Sequence, residues 1–169
     1  TAVAGLVAWE QGLFELTDPV RRFIPAFADT RVWRSGSTVA PVTDPITEEL
    51  RIWHLFTHTA GLTYGFVHNH PVDALYRQAG FEWGVPDDIA DLADLCDRLA
   101  ALPLVFQPGT EWQYSMGLDV LGRVIEVASG VPFERFVQAH VLDPLGMTDT
   151  VWHVDADRVD RLAALYAPA

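Results

Sequence analysis

Lysine is absent from this 169-residue sequence, and all eleven basic residues are arginines. With 23 Asp and Glu residues, the formal net charge is −12 at pH 7. A charge of that sign is repelled by the phosphate backbone, and no arginine cluster offers a local exception. We therefore expect no nucleic-acid partner.

Long apolar runs and cysteines are also scarce. The longest apolar runs, such as Ala2 to Trp9, fall well short of the roughly 18 residues that span a bilayer, so no membrane segment is expected. The only cysteine, Cys96, lies at an apolar position of a helical pattern and is interpreted as a small buried hydrophobe. The first residues lack the charged region and the small-residue cleavage site of a signal peptide, and Thr1 in place of an initiating Met indicates a start further upstream, so the compartment is left open.

The sequence contains no phosphate-binding loop, no paired-cysteine metal site and no Gly-x-Ser-x-Gly elbow. Half of its residues are apolar and 11% are aromatic, which is typical of one packed globular domain. This apolar content is slightly high for a free-standing domain. It indicates that part of the surface faces a segment outside residues 1–169.

Hydrophobic periodicity predicts a mainly α chain with one small β-hairpin. Helices are expected at 1–11, 19–23, 47–57, 71–78, 88–100, 116–129, 132–140 and 157–165. The hairpin is expected from strands 31–33 and 38–42 around Ser35-Gly36-Ser37, with a further strand at 150–154. Gly12 and Gly130 stand where left-handed helix caps are expected.

The order of several short blocks resembles serine hydrolases of the β-lactamase and penicillin-binding-protein superfamily, in particular their esterase-like branch. The blocks are Thr1 to Ala4 running into Glu10 to Leu13, Leu16 to Val20, His54 to Leu62, Pro108 to Thr110, Tyr114-Ser115, Leu121 to Glu126, Ser129-Gly130 and Pro144 to Met147. They span nearly the whole chain in the correct order.

This resemblance implies the helical domain of an α+β architecture, without most of its antiparallel sheet. It also implies an enzyme that acylates the serine of an S-x-x-K motif, uses a tyrosine as base or proton relay, and completes its site with a K-T-G-like third motif. By alignment, that serine lies about six residues before Thr1 on the same helix, and the third motif lies well beyond Ala169. Residues 1–169 are therefore expected to be one partial domain that needs no cofactor.

Tyr114 matches the first position of the family's Tyr-x-Asn motif and is the expected catalytic residue. A tyrosine ordinarily titrates near ~10, so a tyrosine base requires nearby cations, which the motif lysines supply in the family. Met116 occupies the Asn position. This departure removes an amide that would hydrogen-bond an amide substrate, and it favours esters over β-lactams or peptides.

Three other residue types invite a role. Trp112, two residues from Tyr114, is expected beside the substrate, whereas the other five tryptophans are expected in the core. Ser115 is expected to cap the helix that starts at Met116. His54 and His58 are spaced i, i+4 on a predicted helix, but no carboxylate is fixed beside them at ligand spacing, so no metal is expected. The resemblance implies that both histidines are packing and hydrogen-bonding residues.

Two functions remain open from the sequence. The first is a piece of a serine hydrolase that acts on small-molecule esters, or on β-lactam-like or peptide-like amides. The second is a non-catalytic helical scaffold that binds a small ligand or a partner protein. The missing sheet is expected to leave an apolar face uncovered, which predicts marginal stability or self-association of the isolated chain.

Overall fold

The computed structural model describes residues 1–166, and helices are the main regular structure in it. Six α-helices and two strands account for the regular structure of these residues: α1 (Ala2–Glu10), β1 (Arg31–Gly36), β2 (Pro41–Pro45), α2 (Ile52–Phe56), α3 (Pro71–Gln78), α4 (Leu92–Ala100), α5 (Gly117–Ser129) and α6 (Phe133–Val137). A π-helical turn, Gln138–Leu142, continues α6, and 3₁₀ turns occupy Val20–Arg22, Pro25–Asp29, Gly65–Val67 and Ala156–Arg161. The prediction of a mainly α chain with one small hairpin is confirmed. No helix within residues 1–166 has the length and apolarity that crossing a membrane requires.

The core is built around α5. Its inner face, which includes Val120, Leu121, Val124 and Ile125, is fully buried and packs against α1, α2, α4 and α6. Close packing with α1 depends on Gly5, since a Cβ there would lie 2.5 Å from the ring of Phe56. The helix ends at a left-handed glycine, Gly130, as predicted. The loop before α5 is thereby held against the core at one end of the molecule.

The hairpin is antiparallel and pairs Val32 with Asp44, with a bulge between Trp33 and Ser35. Its second strand begins at Pro41, later than predicted, because residues 37–40 form the turn, in which the Ala40 amide donates to the Ser37 carbonyl at 3.1 Å. The Trp33 amide donates to the Leu104 carbonyl at 2.9 Å. The hairpin is therefore fastened to the segment that follows α4.

The predicted helix from residue 47 was wrong at its start, because that segment pairs with other loops. The Thr47 amide donates to the Gln107 side chain at 2.9 Å, and the Val20 amide donates to the Leu50 carbonyl at 2.8 Å. These bonds hold residues 47–51 in a non-helical conformation, and α2 begins only at Ile52. It ends at Phe56, so the helix is one turn long rather than three.

Other element boundaries also differ from the sequence prediction. The N-cap of α4 is Asp91, whose carboxylate accepts from the Ala93 and Asp94 amides, because Asp88 is engaged by Arg98. Residues 150–154 form no strand, since no neighbouring strand in the described chain pairs with them. The segments predicted as helices at 19–23 and 157–165 are short 3₁₀ turns at Val20–Arg22 and Ala156–Arg161.

Candidate active site

Tyr114 lies on the loop that enters α5, with half of its surface exposed. The loop is pinned to the segment after α2 by two backbone hydrogen bonds, from Gln113 N to the His58 carbonyl at 3.0 Å and from Gly109 N to the Thr59 carbonyl at 2.8 Å. Both segments belong to sequence blocks that carry the family resemblance. Their pairing fixes the backbone of the expected catalytic tyrosine while leaving its ring accessible.

His58 packs directly on Tyr114, with ring centroids 4.9 Å apart. Its backbone is left-handed, with φ at 55°, so it lies outside α2 and not on one helical face with His54 as predicted. Its Nδ1 is 3.4 Å from the Ser115 hydroxyl. Burial lowers the pKa of His58, which keeps the imidazole neutral at pH 7.

Tyr64 forms the opposite wall of the site, with its ring 5.3 Å from that of Tyr114. Burial raises the pKa of the Tyr64 phenol, and the neighbouring Asp119 and Tyr114 raise it further. Sequence analysis missed Tyr64, although it lies only two residues beyond the block that ends at Leu62. As a neutral phenol it can donate a hydrogen bond but cannot act as a base near neutral pH.

Asp119, in the first turn of α5, was also missed by sequence analysis. Burial raises the pKa of its carboxyl group. Together with Thr1 and Leu118 it lines a cavity of about 440 Å³. The cavity therefore joins the first turn of α5 to the N-terminal end of α1.

A buried carboxylate fastens the loop that carries Tyr64. Asp73 is fully buried and accepts hydrogen bonds from the Thr63 hydroxyl at 2.8 Å and from the Asn69 and His70 amides at 2.9 Å each. Three donors to one carboxylate satisfy the charge inside the protein. We call this arrangement the Asp73 clasp. It closes residues 63–73 into a ring without a covalent bond.

The polar residue next to Tyr114 lies just before the helix. Ser115 is buried, and its hydroxyl accepts from the Gly117 amide at 3.3 Å. The N-cap of α5 is Met116, so the prediction that Ser115 is the N-cap was wrong by one residue. Met116 is 1% exposed. Its side chain packs in the core, so the position that carries Asn in the family motif presents no group to a ligand here.

Trp112 is 66% exposed and contacts the His58 ring edge-on. The prediction that the other tryptophans lie in the core was wrong for most of them. Four are at least one-third exposed, namely Trp9, Trp53, Trp83 and Trp152. Hydrophobic periodicity predicts these tryptophans to be buried. An indole ring is large enough, however, to pack one side against the core and leave the other side in solvent.

His54, His70 and Cys96 have packing and hydrogen-bonding roles. Burial, with a smaller contribution from Arg51, lowers the pKa of His54 to about 4, and its Nδ1 accepts from the Arg51 amide at 2.9 Å. His70 accepts from the Val72 amide at the start of α3. Cys96 is fully buried, which raises its pKa to about 12. Among the residues described, no three histidine, cysteine or acidic side chains converge as a metal site.

Several known proteins are similar to this chain in sequence and fold. Esterase EstB of Burkholderia gladioli is 39% identical over 148 residues, which cover 88% of this chain and 34% of that protein. The ML-236A carboxylate methylbutanoyltransferase of Penicillium citrinum is 34% identical over 167 residues, 96% of this chain and 37% of the relative. The solved structure of EstCE1, described as a hydrolase with promiscuous acyltransferase activity, covers 86% of this chain and 35% of its own, with 33% identity and a TM-score of 0.67.

The chain thus spans 34 to 40% of the length of the curated relatives it matches. Its relatives include esterases and acyltransferases, which both transfer acyl groups. The sequence model of the family described as Beta-lactamase matches residues 1–169. Since that match covers every residue around Tyr114 and the fold agrees with solved members, the chain belongs to the β-lactamase family, as its block order indicated.

Proposed function

We propose that these residues form the middle of a serine hydrolase that cleaves carboxylic esters through an acyl-serine intermediate. The observation that carries the proposal is the position of Tyr114, which is half exposed beside Tyr64, on the loop that leads into the first turn of α5. Asp119 in that turn lines a cavity together with Thr1. A serine about six residues before Thr1, on the axis of α1, would approach this end of the molecule. The tyrosine would then lie on the same side as the nucleophile.

In the proposed reaction, Tyr114 accepts the proton of the serine hydroxyl while the serine oxygen attacks the ester carbonyl. The tetrahedral intermediate collapses, the ester C–O bond breaks, and the departing alkoxide takes the proton from the tyrosine. Water then attacks the acyl-serine, again with Tyr114 as proton relay, and releases the carboxylic acid. The lysine of the S-x-x-K motif would stabilise the tyrosinate, since this chain has no lysine of its own.

Esters are favoured over β-lactams and peptides because the buried Met116 offers no amide to bind a substrate amide. Acyl transfer to an alcohol is the second candidate. It is favoured by the relatedness to a methylbutanoyltransferase and to a hydrolase with acyltransferase activity. The two reactions share the acyl-serine and differ only in whether water or an alcohol accepts the acyl group.

The first measurement is the coding sequence directly upstream of the Thr1 codon. An open frame that encodes Ser-x-x-Lys about six residues before Thr1 supports the hydrolase. A start codon or a stop codon at that point supports the non-catalytic scaffold and removes the catalytic role of Tyr114.

The second test is the activity of the full-length protein on p-nitrophenyl acetate. We expect Tyr114→Phe to lower kcat by about two to four orders of magnitude, the range of a lost acid–base group, with unchanged far-UV circular dichroism. Tyr166→Phe, at a tyrosine that is 87% exposed, is the matched control and should retain full activity. Residues 1–169 alone should give no turnover. Equal activity of Tyr114→Phe and wild type would overturn the proposal.

A further inference from the structure

Six aromatic side chains form an unbroken series of ring contacts with Tyr114 at its centre. We call it the aromatic strip, and its members in spatial order are Trp83, Phe66, Tyr64, Tyr114, His58 and Trp112. Successive centroids are 4.9 to 6.3 Å apart. Its two end members are well exposed, Trp83 by 80% and Trp112 by 66%.

The half of the strip between Trp83 and Tyr64 is the more ordered. The rings of Trp83 and Phe66 are inclined by only 14°, and those of Phe66 and Tyr64 by 20°. Near-parallel rings leave the outer face of the last one free to stack on another planar group. That free face belongs to Trp83, three ring contacts away from the proposed catalytic hydroxyl.

The backbone around this half is built to hold the rings together. A Cβ at Gly65 would collide with the Phe81 carbonyl oxygen and lie 2.9 Å from the Cα of Glu82. The Gly65 amide donates to that carbonyl at 3.1 Å, and the Arg77 guanidinium donates to the Gly65 carbonyl. Glycine at residue 65 therefore lets the Phe66 turn press against the Trp83 loop.

The charges along the strip favour an uncharged ligand. The acidic groups along the strip include Asp119, which acts on Tyr64, and Glu82 and Glu111, which are next to Trp83 and Trp112 in sequence. Arg77, the arginine of this region, is engaged by the Gly65 carbonyl. A carboxylate on the substrate would meet negative charge here, whereas a neutral aromatic group would meet only ring faces and edges.

We propose that the aromatic strip between Tyr64 and Trp83 is a subsite for a planar aryl or fused-ring group of an uncharged ester, and that Trp83 determines this specificity. The inference rests on the proposed esterase function, since the strip leads to Tyr114. Trp83 touches the distant part of the substrate and takes no part in the chemical step.

The test measures kcat/KM of the full-length enzyme for 2-naphthyl acetate, methyl 2-naphthoate and ethyl acetate. The first two substrates place the fused ring on the alcohol and on the acyl side respectively, so the pair identifies which part the strip holds. We expect Trp83→Ala to lower kcat/KM for one or both naphthyl esters relative to ethyl acetate by roughly three- to tenfold, as the loss of one aromatic contact predicts. Trp83→Phe should recover most of that ratio. Comparing ratios between variants cancels the difference in leaving groups.

Val85→Ala is the control on the same loop, since Val85 is 49% exposed and belongs to none of the ring contacts. It should leave the ratio unchanged. In parallel, inhibition by 2-naphthol should weaken in Trp83→Ala and not in Val85→Ala. An unchanged ratio and unchanged inhibition in Trp83→Ala would overturn the inference while leaving the esterase intact. Absence of turnover with all three esters would instead count against the proposed function. In that case the subsite would still be tested by the binding of 2-naphthol, measured through tryptophan fluorescence.

Discussion

His54 is a buried side chain that makes the stability of the fold depend on pH. Its Nδ1 accepts the Arg51 amide at the start of α2, which requires the ring to be neutral at that nitrogen. Burial holds its pKa at about 4, whereas an unfolded histidine titrates near ~6.5. Between these values the unfolded chain binds the proton and the folded chain does not, so acid favours unfolding.

We therefore predict that stability is fully present above about pH 6.5 and falls as the pH drops towards 4, by up to about 3 kcal/mol from this group. Urea unfolding at pH 7 and pH 5 measures it. His54→Asn keeps an acceptor near the Nδ1 position but cannot titrate, so its stability should change less between these pH values. His58 and His70, whose pKa values burial also lowers, should maintain a residual slope. Equal slopes in wild type and His54→Asn would contradict the prediction.

The proposal that Tyr114 is catalytic comes from the sequence, whereas the surroundings of this residue could not be predicted from it. Tyr114 was singled out because it belongs to an ordered set of blocks. Tyr64 and Asp119 were not found because neither type is unusual at its position, and only folding brings them to Tyr114 and to one another. The part of the strip that reaches Trp83 depends on contacts between loops 63–67 and 80–86. Contacts between loops leave no periodic pattern in the sequence, so they could not be predicted.

At the scale of elements, α5 has Gly122 in its interior and ends at Gly130, and these two positions place opposite demands on the backbone. Gly130 has φ at 69°, and the space that a Cβ would enter there is open, so an alanine would meet only backbone strain. Gly122 lies within the helix, and a Cβ there would contact the Phe133 ring at an ordinary 3.5 Å. Substitutions at these two positions therefore measure separately, within one helix, how the cap conformation and the helix propensity affect stability.

We predict that Gly130→Ala lowers the free energy of unfolding by about 1 kcal/mol and that Gly122→Ala raises it by about 0.5 to 1 kcal/mol. Chemical denaturation of the two single variants and the wild type under identical conditions measures both effects. Unchanged or raised stability of Gly130→Ala would show that the left-handed cap does not control the end of α5. Lowered stability of Gly122→Ala would show that the helix interior does not accept a Cβ at this position.

The elements that were predicted correctly are those with strong local signals. The helix at Pro71–Gln78 has a proline at its first position and an amphipathic pattern, and the end of α5 has its glycine. The predictions failed where hydrogen bonds between distant segments override local preference, as at residues 47–51, which pair with Gln107 and Val20. They also failed at 150–154, where β-prone residues have no strand to join within the described chain.

At the scale of the whole molecule, α1 is apolar on every side. Its inner face packs against α5, while Val3, Leu6 and Trp9 on the outer face are 57%, 46% and 40% exposed. A helix that is apolar all round is characteristic of a buried environment. The outer face of α1 therefore needs a cover, which a second copy of the chain can provide.

We predict that residues 1–169, studied alone, self-associate through this face. Sedimentation velocity should show a sedimentation coefficient that rises with concentration, and Leu6→Glu should reduce the rise. Val39→Glu, at a hairpin-tip residue that is 91% exposed, introduces the same charge elsewhere and should leave association unchanged. A monomer at all concentrations, with a sharp thermal transition independent of concentration, would contradict the prediction.

The Asp73 clasp also governs how the chain is digested. A surface loop with two large aromatic side chains is ordinarily an early target for a protease such as chymotrypsin, because cleavage requires the backbone to extend into the enzyme. Opening residues 63–73 would strip a buried carboxylate of its three donors. Limited digestion should therefore spare the bonds after Tyr64 and Phe66 and cut first after the exposed Trp83, although all three belong to the same strip.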